Sequence, residues 1–254
     1  MKSIGPIGML GGESSRFGRA GLKLKGATGA WLVALLLLVA HGLVEWQGFP
    51  VNVRWHLAFG LNREVFWGEP WRVGTYAFLH GNWLHVLLNA AAVVLFGAGV
   101  QHVVGLKGFF KVTAAGILGG AFGHLALSAG GPDASLLVGF SAACVGLLIF
   151  TTTLSPESRM WPIPVSGRSL GLGILVAEFL LALMDPRLGI PGMELLGRGL
   201  VEAGMGSWFL IGHACHFGGG VAGWLMARWL LRGRVTLDRL RRERARREAK
   251  EKLG

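Results

Sequence analysis

The sequence predicts an all-α polytopic membrane protein, a bundle of six transmembrane helices, and three observations carry that expectation. Of 254 residues, 52% are hydrophobic and only 15% are charged, where soluble domains carry roughly 25% charged residues. The charges are clustered, which leaves six apolar stretches near 31–47, 82–100, 108–128, 138–154, 169–184 and 207–231. Each is long enough, or nearly so, to cross a hydrocarbon core of about 30 Å at roughly 1.5 Å per residue. Glycine is abundant at 42 residues, as expected where membrane helices pack through small side chains.

Taken in order, residues 1–30 read as a polar, Gly/Ser-rich cytoplasmic segment. The apolar run from Trp31 lacks a small-x-small cleavage site and reads as an uncleaved first helix. Residues 31–232 form the six-helix membrane domain, and 233–254 a basic cytoplasmic tail. The net charge of +11 is distributed in a way that argues for membrane orientation rather than nucleic-acid binding. Five Lys/Arg precede residue 30 and ten lie between Arg232 and Lys252, and basic flanks mark the cytoplasmic side. Both termini are therefore expected in the cytoplasm, with an even number of spans between them, in what the compact architecture suggests is a bacterial inner (plasma) membrane.

The connection from Gln47 to Asn82 is long, and Trp46, Trp55, Trp67, Trp71 and Trp83 lie in or beside it. Tryptophan prefers the membrane–water interface, so this first loop is expected to lie in the outer surface. The tail carries acid-before-base pairs at i,i+4, such as Asp238/Arg242 and Glu243/Arg247, consistent with an exposed helix whose basic face meets anionic lipid. Cys144 and Cys215 fall inside apolar segments and read as buried thiols.

The fourth segment is short. If its helix starts near Ser141, it has about 14 residues, roughly 21 Å, too few to span alone. A non-helical entry strand must then dip into the membrane, which is tolerable only where it lines protein or a cavity. Ser141 would head a short helix below the membrane surface.

Polar groups inside membrane helices need an explanation; the candidates are His80, His85, Asn89, Gln101, His124, Ser141, His213 and His216. Ser141 alone, or His216 alone, is as well explained by a packing hydrogen bond. Together they match a chemistry, because a serine nucleophile needs a nearby base and imidazole supplies one near neutral pH. Gly219 and Gly223 form a small-residue face one turn after His216, along which another helix can approach. His85 and Asn89, at i,i+4, share one helix face and are candidate oxyanion donors, with the Ser141 amide as a third.

These residues resemble the rhomboid family of intramembrane serine proteases. Trp71-Arg72, Thr75, His80, His85 and Asn89 resemble its W-R-x2-T-x4-H-x4-H-x3-N pattern. Gly139-Phe140-Ser141-Ala142 is similar to G-x-S-G, and His216-x2-Gly219-x3-Gly223 to H-x2-G-x3-G. The match runs from about 70 to 225, with the motifs in family order.

The resemblance implies a six-helix rhomboid-like bundle with a long interfacial first loop. It further implies Ser141 as nucleophile and His216 as general base in a dyad with no acidic third member. His85, Asn89 and the Ser141 amide would stabilise the oxyanion; Trp71, Arg72 and His80 would hold the first loop. The implied substrates are membrane proteins cut within or beside a transmembrane segment, with no cofactor or metal. Three positions depart from the family pattern: Ala142 replaces a glycine close to the substrate, Gln101 an acid, and Val145 an aromatic.

The alternative is a catalytically inactive rhomboid-like protein that binds transmembrane clients. Other intramembrane chemistries find less support. There is no H-E-x2-H, and His213/His216 at i,i+3 has no third metal ligand nearby in sequence. A transporter would show repeated halves. Small-residue faces serve internal packing and dimerisation equally, so the oligomeric state stays open.

Overall fold

The computed structural model describes residues 26–130, 136–160 and 164–231. Residues 1–25 of the expected N-terminal segment and the whole basic tail 233–254, with its i,i+4 pairs, lie outside the described residues. The architecture is an all-helical bundle, as its apolar segments predict.

Helix α1 (Thr28–Trp46) leads to the first loop, which holds α2 (Val51–Phe59) and α3 (Arg72–Thr75). Helix α4 (Trp83–Ala92) starts at Asn82, whose side chain accepts from the His85 amide at 2.9 Å, an N-cap that satisfies a first-turn donor. It continues through a wider turn at Val93–Gly97 into α5 (Ala98–Leu127). Gly105 interrupts α5 at φ 75, ψ 175, a conformation that glycine adopts without penalty. This break divides the run into the second and third apolar segments. Then follow α6 (Ser141–Leu154), α7 (Gly167–Leu183), α8 (Met193–Leu200) and α9 (His213–Leu231). The last helix begins six residues later than its apolar stretch suggests, because 206–210 is a tight 3-10 turn, which composition does not distinguish from helix.

Helices α5, α6 and α9 form the centre, and glycines set their spacing. A Cβ on Gly219 would lie 2.3 Å from the Ala142 carbonyl oxygen, and one on Gly223 2.1 Å from that of Gly146. On the adjoining face of α9, a Cβ on Gly218 would lie 2.1 Å from the Gly119 carbonyl oxygen. The backbones thus touch where side chains would hold them apart. The outward surface is apolar, with Leu32, Leu35, Leu84, Leu88, Phe122 and Leu225 all exposed, as suits contact with lipid tails. Helix α1 and the run Trp83–Leu127 have the length and hydropathy of membrane spans.

The first loop is sewn to the bundle by buried polar groups. Arg72 donates to the carbonyls of Leu57 and Gly60, each at 2.6 Å, and pairs with Glu69. It thereby caps the orphan carbonyls at the end of α2. Thr75 donates to the Phe59 carbonyl at 2.8 Å, and the buried Tyr76 hydroxyl donates to that of Ile117 on α5, also at 2.8 Å. Trp71 is half exposed beside this network.

Candidate active site

Helix α6 begins at Ser141 and has 14 residues, the short helix expected. Its entry strand is pinned by the first loop. Leu137 exchanges two backbone hydrogen bonds with Leu61, and the Gly139 amide donates to the Tyr76 carbonyl at 3.0 Å. The Phe140 amide donates to His80 Nε2 at 3.4 Å. Burial, and then the charge of nearby His85, hold the His80 pKa down to about 3, so the ring is neutral and keeps the lone pair that this contact needs. These partners satisfy backbone that lipid could not.

Gly139 is required twice over. Its φ is 118°, and an added Cβ would lie 2.7 Å from the His85 ring and 3.7 Å from Asn89 Nδ2. The bend at Gly139 therefore brings the entry strand against the polar face of α4, as the i,i+4 spacing suggests. Asn89 is buried and its Nδ2 has no hydrogen-bond partner among the described residues, while its Oδ1 faces the Cys144 thiol at 3.8 Å.

His216, in the first turn of α9, reaches the head of α6. Its Nε2 lies 2.8 Å from Ser141 Oγ. A cavity of about 590 Å³ is lined by Ser141, His216, His85 and Asn89. The same cavity touches His124 of α5 and Asp185 and Arg187 beyond α7. A hydroxyl, an imidazole within hydrogen-bonding distance of it and an amide donor without a partner among the described residues thus open on a single space, a constellation suited to acyl transfer.

Residues 67–233 match the family described as Rhomboid domain, more than half of the chain. The chain belongs to the rhomboid family. A protein of Bacillus subtilis (strain 168) named "Putative rhomboid protease YdcA" is 30% identical over 110 residues, covering 43% of this chain and 50% of that protein. The chain therefore aligns with about half the length of this relative. With a rhomboid domain and apolar helices, it is an integral membrane protein.

Two departures from the rhomboid pattern have structural explanations. The Ala142 methyl does not line the cavity, although its position after the serine suggested that it would face substrate. Ala142 is 1% exposed and points into the α5 contact, where Gly120 leaves room: a Cβ on Gly120 would sit 2.3 Å from that of Ala142. Gln101 is a two-way clamp on α1. It accepts from the Gly29 and Ala30 amides at 2.9 and 3.3 Å, and donates to the Gly26 carbonyl at 2.8 Å. A carboxylate in its place would lose the last bond.

Sequence reasoning missed Glu178. On α7, its Oε1 lies 3.1 Å from His216 Nδ1 and its Oε2 2.6 Å from His213 Nδ1. His216 therefore has the acidic neighbour that the family resemblance did not lead one to expect. The signal was a glutamate inside the apolar stretch 169–184, a placement that calls for a partner. Glu178 also supplies the third metal-capable group that sequence proximity did not: the donor atoms of Glu178, His213 and His216 lie within 4.8 Å of one another. Each carboxylate oxygen is at hydrogen-bonding distance from a ring nitrogen.

Proposed function

We propose that this protein is an intramembrane serine endopeptidase, which hydrolyses peptide bonds within or next to transmembrane segments of membrane-protein substrates. The observation that carries this reading is the 2.8 Å contact between His216 Nε2 and Ser141 Oγ, opening on a cavity that also holds Asn89 and His85. Ser141 Oγ attacks the scissile carbonyl while its proton passes to His216 Nε2. The developing oxyanion accepts hydrogen bonds from Asn89 Nδ2, His85 and the Ser141 amide, which lies in the helix turn whose N–H groups lack intrahelical acceptors. Collapse breaks the C–N bond, and the proton on His216 goes to the leaving amine. Water then gives a proton to His216 Nε2 as it attacks the acyl-enzyme carbonyl, and that proton returns to Ser141 Oγ as the ester bond breaks and the carboxylic acid product leaves. No cofactor or metal takes part. The membrane domain 31–232 carries all of this chemistry, between a polar segment 1–30 and a basic tail 233–254 on the cytoplasmic side.

The test uses the full chain in liposomes with a single-span model substrate and a fluorophosphonate probe. Wild type is expected to cleave and to be labelled, with both lost in Ser141→Ala and His216→Ala. A folded wild-type protein that neither labels nor cleaves, yet retains transmembrane clients, would establish the inactive, client-binding reading instead.

A further inference from the structure

We propose that Glu178 is a positioning residue behind Ser141 and His216, so that this chain works as a Ser-His-Glu relay rather than as a dyad; this rests on the protease reading above. An ionised carboxylate only accepts hydrogen bonds. With Glu178 Oε1 3.1 Å from His216 Nδ1, that nitrogen must carry the hydrogen. The neutral ring then has its lone pair on Nε2, 2.8 Å from Ser141 Oγ. Without the carboxylate the ring is free to hold the other tautomer, with N–H directed at the nucleophile and no base available.

Glu178 is in turn held by His213. His213 Nδ1 lies 2.6 Å from Glu178 Oε2, and its Nε2 lies 3.0 Å from the Trp208 carbonyl oxygen. These two contacts hold the His213 ring, and through it the Glu178 carboxylate, in place behind His216. The pairing gives an acidic side chain in a membrane helix the partner it needs. The N-terminus of α9, where His213 and His216 sit, adds positive partial charge.

The proton balance needs no further reactant. Ser141 gives its proton to Nε2 as the O–C bond forms, and the carbonyl electron pair moves to oxygen. Glu178 takes no proton; it stabilises the imidazolium across the bond to Nδ1 until Nε2–H passes to the leaving amine. Among the described residues, the charged and titratable groups around His216 include Glu178 from α7, His213 and Cys215 from its own helix and His85 from α4. His124 from α5, with Asp185 and Arg187 beyond α7, lines the same cavity. Glu178 alone among them is an acceptor on Nδ1.

The experiment measures cleavage of the model substrate by the full chain in liposomes against pH, for wild type, Glu178→Gln, Glu178→Asp and His213→Asn, with Ser141→Ala as the blank. In Glu178→Gln, kcat is expected to fall at least about tenfold with KM nearly unchanged. The acid limb of the kcat profile should move to lower pH, because His216 loses the charge that favours its protonated form. Glu178→Asp keeps the charge and should recover part of both losses. A merely structural glutamate would lower Tm without moving the limb. If Glu178→Gln does not fold, His213→Asn decides: it leaves the carboxylate to His216 alone, and the limb should move to higher pH.

Wild-type kcat and limb in folded Glu178→Gln, or an unmoved limb in His213→Asn, would overturn the relay. So would zinc inhibition that Glu178→Gln abolishes while its metal-free kcat stays wild-type, which would make the cluster a metal site. In each of these cases an inactive Ser141→Ala beside active wild type leaves the protease reading standing. An inactive wild type overturns both.

Discussion

Gly219→Ala tests whether the glycine contact between α6 and α9 is what sets the distance between Ser141 and His216. The added Cβ would lie 2.3 Å from the Ala142 carbonyl oxygen, 2.8 Å from its carbon and 2.9 Å from its Cα. All three atoms are backbone, so no rotamer change relieves the clash. Reaching ordinary van der Waals contact takes roughly 1 Å, which the two helices can supply only by parting. Ala142 follows Ser141 directly, and His216 precedes Gly219 by one turn, so the wedge opens at the reacting atoms. A 2.8 Å contact lengthened by that amount leaves hydrogen-bond range, and a misplacement of about 1 Å costs on the order of 10²-fold in rate. Overpacking should also lower stability by about 1–3 kcal/mol. The assay is the fluorophosphonate labelling rate of Ser141 beside a thermal unfolding curve. Gly173→Ala serves as control, since a Cβ there meets nothing within 4 Å. Labelling of Gly219→Ala within about threefold of wild type would refute the claim that this contact sets the dyad distance.

Three further outcomes follow from the geometry. Asn89→Ala removes the donor Nδ2 that is buried without a partner; kcat in the liposome cleavage assay should fall about 10²–10³-fold, the usual loss for one oxyanion donor, with Tm little changed. Ala142→Gly restores the rhomboid consensus but removes a methyl that packs on α5 and lies away from the cavity. Labelling should stay near wild type while stability drops by about 1 kcal/mol, read as a lower Tm. Arg72→Ala strands the carbonyls of Leu57 and Gly60, at a cost of about 2–3 kcal/mol for bonds to a charged donor, and should expose the first loop to limited proteolysis.

Much of this was legible because lipid restricts what a sequence can do. Apolar length located the helices, and a fourth helix starting near Ser141 would be too short to cross alone, which implied an interrupted span; the structure begins α6 at Ser141. The spacing of His85 and Asn89 placed both on one cavity wall. What composition could not supply was direction across helices. Ala142 was read as facing substrate because it follows the nucleophile, but a helix turns each successive residue by about 100°, which carries its methyl into the α5 contact. Ser207–Leu210 reads as the start of the last apolar helix, yet the chain winds there through a 3-10 turn before α9 starts.

Glu178 was missed for a related reason: its partners lie 35 and 38 residues away, beyond any local spacing rule. Its place becomes intelligible once the helix starts are considered together. Ser141 heads α6, His213 and His216 occupy the first turn of α9, and His85 sits in the first turn of α4. Three helix N-termini thus carry their side chains to one cavity, each with positive partial charge. Such a convergence favours negative charge twice over, transiently at the oxyanion and permanently at the carboxylate behind the base. An acid in an apolar helix is costly elsewhere in the bilayer; here two imidazoles and the head of α9 offset that cost. The field that would stabilise a tetrahedral intermediate is therefore the field that lets α7 carry Glu178, and weakening one by mutation should weaken the other.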